Sequence, residues 1–196
     1  MTPAGRQPAG ARRVSVVGVG NILYRDEGVG VYAAHYLRQT FAFTPEIDVA
    51  DGALLGFGLM DFFAADGTVI VLDALLADGA PGSIYRLATG RLLELGRAVI
   101  PTAHEVDPVH LLRRARALGE RVEMVLLGIV PADASEMAVG LTPALADAFP
   151  RFVDAAVLEL RAQGVHAERI DAISLDQVID GLGRPRPARA ASGHGA

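Results

Sequence analysis

Four short stretches of this chain place acidic or imidazole groups where they can do chemistry: Asp26-Glu27, Asp51, Asp73 and His104. Each acid closes or follows an apolar run. Val14–Val19 leads through Gly20 and Asn21 to Asp26-Glu27, Glu46–Ala50 leads to Asp51-Gly52, and Thr68–Leu72 leads to Asp73-Ala74. Carboxylates gathered at one place repel unless a proton or a cation separates them. An imidazole beside two or three carboxylates suits a borderline divalent metal such as nickel or zinc. The chain has no cysteine, so thiolate nucleophiles, disulfides and cysteine-held zinc or iron–sulfur sites are excluded.

Each residue also has a purely structural reading. Asp26 and Glu27 open a helical stretch, where the dipole favours acids without any function. Asp51 before Gly52 is a common turn pair. Asp73 resists that reading, because a carboxylate ending an apolar strand is costly unless paired or solvated. His35 and His166 carry no further signal, and His194 stands near the end of the chain.

Spacing removes or weakens other chemistries. His104-Glu105-Val106-Asp107-Pro108-Val109-His110 is not HExxH: its second histidine comes six residues on, about 240° around a helix. Asp107-Pro108 reads as a cap and first helical residue, so His104 precedes that helix. There is no Gly-x-Ser-x-Gly elbow and no Gly-x-x-x-x-Gly-Lys phosphate loop. The loop Gly18-Val19-Gly20-Asn21-Ile22-Leu23 has leucine where a dinucleotide fingerprint needs its third glycine.

The elements that must position these groups alternate along the chain. After the strand Val14–Val19, Asp26–Gln39 reads as a helix with Val29, Ala33, Tyr36 and Leu37 on one face. Strands are expected at Glu46–Ala50, Thr68–Leu72, Ile84–Leu87 (an edge strand) and Glu123–Val130. Helices are expected over Leu59–Ala65, Pro108–Leu118 and Pro143–Gln163. Continuous apolar strands alternating with helices predict an α/β fold, a three-layer, mostly parallel twisted sheet between helices. In such sheets ligands sit beyond the carboxyl ends of the strands, so the three acidic strand ends should open on one edge, within reach of His104.

The 196 residues suit one domain at 13–182, with Gly-, Ala- and Pro-rich ends at 1–12 and 183–196 expected to be mobile, the latter carrying three arginines. Net charge of −5 argues against nucleic acid or an anionic membrane as partner. Arg12-Arg13 is not a twin-arginine signal, because the apolar run after it is broken at Gly18. A cytoplasmic location is expected.

Four segments resemble one known family, the hydrogenase maturation endopeptidases. They are GVGNILYRDEGVG (Gly18–Gly30), VIVLDAL (Val69–Leu75), AHEVD (Ala103–Asp107) and GIVPADASEMAVGLTPAL (Gly128–Leu145). The likeness spans Val14 to Gly164 and nothing is carried beyond it. It implies Glu27, Asp73 and His104 as a metal set, with Asp51 and Asn21 as neighbours orienting it. It implies that the metal is nickel carried by the substrate, the precursor of a [NiFe] hydrogenase large subunit, although a substitute divalent metal can occupy the site. It implies removal of a short C-terminal peptide, by a family grouped with aspartic-type endopeptidases. Asp73 as general base and a metal-polarised carbonyl both remain open. The alternatives are a non-enzymatic metal-binding maturation chaperone on the same fold, or a nucleotide-binding enzyme using the Gly18 loop.

Overall fold

A computed structural model describes residues 12–52, 56–63, 66–95 and 108–183. Its first strand, β1 (Arg13–Gly18), leads through a 3-10 turn at Arg25–Gly28 into α1 (Val29–Thr40). β2 (Phe41–Thr44) and β3 (Asp48–Asp51) follow, then a 3-10 turn at Gly56–Leu59 that runs into α2 (Met60–Phe63). β4 (Gly67–Ala74), β5 (Ile84–Ala88) and α3 (Thr89–Leu95) complete the first half. The second half holds α4 (Pro108–Ala117), β6 (Val122–Ile129), α5 (Pro143–Ala162), β7 (His166–Arg169) and α6 (Leu175–Gly183).

Five strands form the central sheet in the order β3-β1-β4-β6-β5, all parallel except β5 at the edge. β4 is buried along its whole length. Such a strand has no wet face, and both sides of the sheet are accordingly covered. On one face Val14, Val16, Ile70, Leu72 and Leu127 pack against α1 and α5 through Val29, Tyr32, Phe149 and Phe152. On the other, Val17, Val69, Val71, Met124 and Leu126 pack against α2, α3 and α4 through Phe63, Leu92, Val109 and Leu112. The expected three-layer α/β fold is the one observed.

Differences from the sequence reading are local. The helix expected from Asp26 begins three residues later, because Arg25–Gly28 is wound as a tighter 3-10 turn. The antiparallel ribbon of β2 and β7, the helix α3 and the helix α6 were not anticipated. Strands of four residues are too short to show a period, and α6 buries only Val178 completely.

The edge strand β5 is tied to α5 by an ion pair. Arg86 Nε and Nη2 donate to Glu159 Oε2 and Oε1 at 2.6 and 3.1 Å, and Gln163 Nε2 adds a bond to Oε1 at 3.0 Å. Chiefly through the Arg86 bond, and against the effect of burial, the Glu159 carboxyl titrates below its ordinary 4.5. The pair therefore contributes stability that is complete above about pH 4.5 and is lost as pH falls through the lowered folded value. Glu159→Gln should shrink the acid-side loss of stability in urea titrations run between about pH 3 and 6, with little added slope above that range.

Candidate active site

Parallel register brings the acidic strand ends to one edge. Gly18 lies opposite Asp51 of β3 on one side and Leu72 of β4 on the other, so Asp51, Gly18 and Leu72 share a rung, with Asp73 one residue further. The ladder extends past Gly18, Val19 N–H donating to Leu72 O at 2.8 Å. Asp51 and Asp73 are two strands apart, roughly 10 Å between backbones. They point to opposite faces. Alternation sends Asp73 to the face of Val69 and Val71, beneath α2 to α4, while Asp51 faces α1.

Glu27 is brought to the same sheet edge as Asp73 by a close approach of backbone to backbone. The 3-10 turn bearing Glu27 packs against β4. The first turn of α1 then meets the strand ends directly: a Cβ on Gly30 would lie 2.1 Å from Leu72 O and 2.3 Å from Val19 O. Gly20, at φ +142°, turns the loop so tightly that a Cβ there would lie 2.0 Å from Glu27 O. Neither position admits a side chain. Asn21 shapes the same loop, its Oδ1 accepting from Leu23 N–H at 3.0 Å. Glu27 is 8% exposed and Asp73 fully buried, so two carboxylates sit sunk at the carboxyl edge of the sheet.

Asp26 has a different task. It is fully buried, and four donors converge on it. Oδ2 accepts from the amides of Ala132 and Asp133 at 2.9 and 3.0 Å and from Thr142 Oγ1 at 2.9 Å, while Oδ1 accepts from Thr142 N–H at 2.7 Å. All four partners are donors, which suits an ionised carboxylate, an acceptor only. Asp26 thus holds both ends of the loop between β6 and α5, and Thr142 caps α5. Around it Arg25 pairs with Glu136 at 2.6 and 3.1 Å, and the Tyr32 hydroxyl accepts from Gly140 N–H at 3.1 Å. Burial pushes the Tyr32 phenol up, against the pull of the Gly140 bond, and the hydroxyl donates to Ile22 O at 3.4 Å.

Asp51 is engaged on its own side of the sheet. Its Oδ2 lies 3.0 Å from His35 Nε2, and Arg38 Nη2 lies 3.0 Å from His35 Nδ1. A guanidinium only donates, so Nδ1 accepts and Nε2 carries the proton given to Asp51. Nothing in the sequence separated His35 from an ordinary surface histidine, since the pairing exists only through the α1–β3 packing.

Among the described residues no group of three His, Asp or Glu side chains is arranged to hold a metal. His104 lies outside the described residues, as do Glu105 and Asp107. The described chain resumes at Pro108, where α4 begins on the face to which Asp73 points.

The family model for hydrogenase maturation protease matches residues 31–159. The chain belongs to the hydrogenase maturation protease family. The matched span includes Asp73 and His104 and starts four residues after Glu27. The hydrogenase expression/formation protein HupD of Rhodobacter capsulatus is 29% identical, over 88% of this chain and 82% of that protein. The hydrogenase 2 maturation protease of Escherichia coli K12 is also 29% identical, over 82% of this chain and 98% of that one. The solved hydrogenase-maturating endopeptidase HybD from E. coli superposes with a TM-score of 0.72 at 28% identity, covering 80% of this chain and 97% of that chain. Hydrogenase maturation proteases are endopeptidases, hence hydrolases, whose family role is C-terminal cleavage of a hydrogenase large subunit.

The Asp26 latch is open to a direct test. Asp26→Ala strands four buried or half-buried donors and should cost about 3–5 kcal/mol of stability in urea unfolding. Amide exchange at Ala132, Asp133 and Thr142 should rise with it, while amides of β4 stay protected.

Proposed function

We propose that this protein removes a short C-terminal peptide from the nickel-loaded precursor of a [NiFe] hydrogenase large subunit, in the cytoplasm, and that it recognises the nickel with Glu27, Asp73 and His104. The observation that carries the proposal is the pair of sunken carboxylates at the carboxyl edge of the sheet, Glu27 being held there by the glycine contacts that press α1 onto β1 and β4. His104, four residues before α4 in sequence, is the imidazole of this set, and α4 itself packs on the face to which Asp73 points.

The donor set suits this role. Two carboxylates and one imidazole, without a thiolate, hold a borderline divalent ion only in part and leave positions for ligands that the substrate brings. Nickel enters as part of the substrate and selects the finished precursor. The chemistry is amide hydrolysis: water adds to the scissile carbonyl carbon, the C–N bond breaks, and the proton lost by water leaves with the amine. In this reading Asp73 is the group placed to take that proton, the aspartic-type assignment, while Glu27 and His104 serve recognition. Asp51, turned to His35, stabilises the strand end beside the site.

Substitutions separate these roles. Asp73→Asn keeps size and should keep the fold, and Asp73→Asn and His104→Ala should each reduce precursor processing at least about 100-fold. Glu27→Gln should raise KM more than it lowers kcat. A cross of metal-free and nickel-loaded forms of both partners decides the place of the metal. Metal-stripped protease should cut nickel-loaded precursor and ignore nickel-free precursor. Cleavage of nickel-free precursor by metal-loaded protease would establish a conventional metalloenzyme. A stable complex with an intact precursor C-terminus would establish a chaperone.

A further inference from the structure

Seven large apolar side chains stand exposed among the described residues, and they are not spread evenly. Four of them, Leu23, Leu76, Met137 and Val139, belong to the connections at the carboxyl edge of the sheet, where Glu27 and Asp73 lie. Leu118 precedes the start of β6 and Ile170 is bonded to Thr40 at the end of α1, which places both at the opposite edge; Leu158 is near the end of α5. Leu23 is 54% exposed, Leu76 53%, Met137 73% and Val139 50%. Leu23 stands four residues before Glu27, and Leu76 three after Asp73.

Met137 and Val139 reach the same place through pairing. Tyr24 and Ala138 form an isolated parallel bridge, and Arg25 N–H donates to Ala138 O at 2.8 Å. The bridge sets the residues on either side of Tyr24 beside those on either side of Ala138. Leu23, Met137 and Val139 therefore belong to one rim, and the Asp26 bonds fix its two strips of chain to each other. In this rim Arg25 is bound through two nitrogens to Glu136, and the Asp133 carboxylate is held by the amides of Ser135 and Glu136 and the Ser135 hydroxyl. What remains is a group of exposed apolar side chains at the same sheet edge as the sunken carboxylates. Exposed apolar groups gathered at one place mark an interaction site.

We infer that Leu23, Leu76, Met137 and Val139 form the docking rim for an apolar stretch of the large-subunit precursor adjoining the scissile bond. The inference rests on the proposed function. An endopeptidase must hold polypeptide next to the bond it cuts, and among the described residues these are exposed apolar side chains at the edge where the carboxylates lie. With Arg25 occupied by Glu136 and the Asp133 carboxylate nearby, the rim disfavours an acidic segment.

The test uses the full-length protease and nickel-loaded precursor. Leu23, Met137 and Val139 are changed together to serine, with Leu118→Ser as the control on the far edge. All three positions are exposed, so both variants should unfold within a few degrees of wild type. The rim variant should raise KM for precursor processing on the order of tenfold or more, with kcat within about twofold, and the control should change neither. An unchanged KM overturns the rim while leaving the protease reading intact. Retention of precursor on immobilised protease is measured in parallel. If wild type holds the precursor without cutting it and the rim variant loses it, the rim stands and the proposed cleavage falls. If wild type neither holds nor cuts it, both fall. Sedimentation of the free protease covers the remaining occupant: a dimer broken by the rim variant, with processing unchanged, assigns the surface to a second copy of this chain and overturns the inference.

Discussion

The structure turns on one close contact, the seating of the first turn of α1 on the ends of β1 and β4. At Gly30 the helix backbone comes so near to Leu72 O and Val19 O that a single methyl group would overlap both. Gly18 mirrors this from the strand, where a Cβ would lie 2.2 Å from Gly30 O. Every feature of the site inherits its place from that seating. Glu27 precedes Gly30 by three residues and Asp73 follows Leu72 by one, so the same contact that packs the helix delivers both carboxylates to one edge.

Asp26 and Glu27 show how adjacent acids can divide a task. Glu27 stands with Asp73 at the carboxyl edge, whereas Asp26 is consumed by four donors from the loop between β6 and α5. A buried carboxylate is tolerated only when its lone pairs are met, and here backbone amides and a threonine hydroxyl meet them. The latch then stiffens the surroundings of Glu27. Arg25, at φ +33°, bends the chain just before Asp26, and its guanidinium is spent on Glu136.

Much of this was legible in the sequence. The five-strand sheet followed from Thr68–Leu72 and Glu123–Val130, which have no polar alternation and so demand cover on both faces. The convergence of Asp51, Glu27 and Asp73 on one edge followed from parallel pairing alone. What was not legible depends on tertiary partners. Asp26 and Glu27 carry the same local signal, and only distant donors distinguish them. Likewise, His35 acquires meaning from Asp51, and opposite faces for Asp51 and Asp73 follow from a register that sequence pattern does not state. The ribbon of β2 and β7 is held by its packing on α1, beyond the reach of any short-range pattern.

The span of the Asp26 bonds carries a consequence for the newborn chain. The donors that complete it lie 106 to 116 residues downstream, in the stretch leading into α5. While the ribosome is still making the first hundred residues, the acid at position 26 has no answering amides, and the segment carrying Glu27 lacks that latch. Closing so wide a loop is slow, and its entropy must be met before the contact rewards it. The Asp26 latch is thus a late arrival, closed only once the stretch leading into α5 has been made.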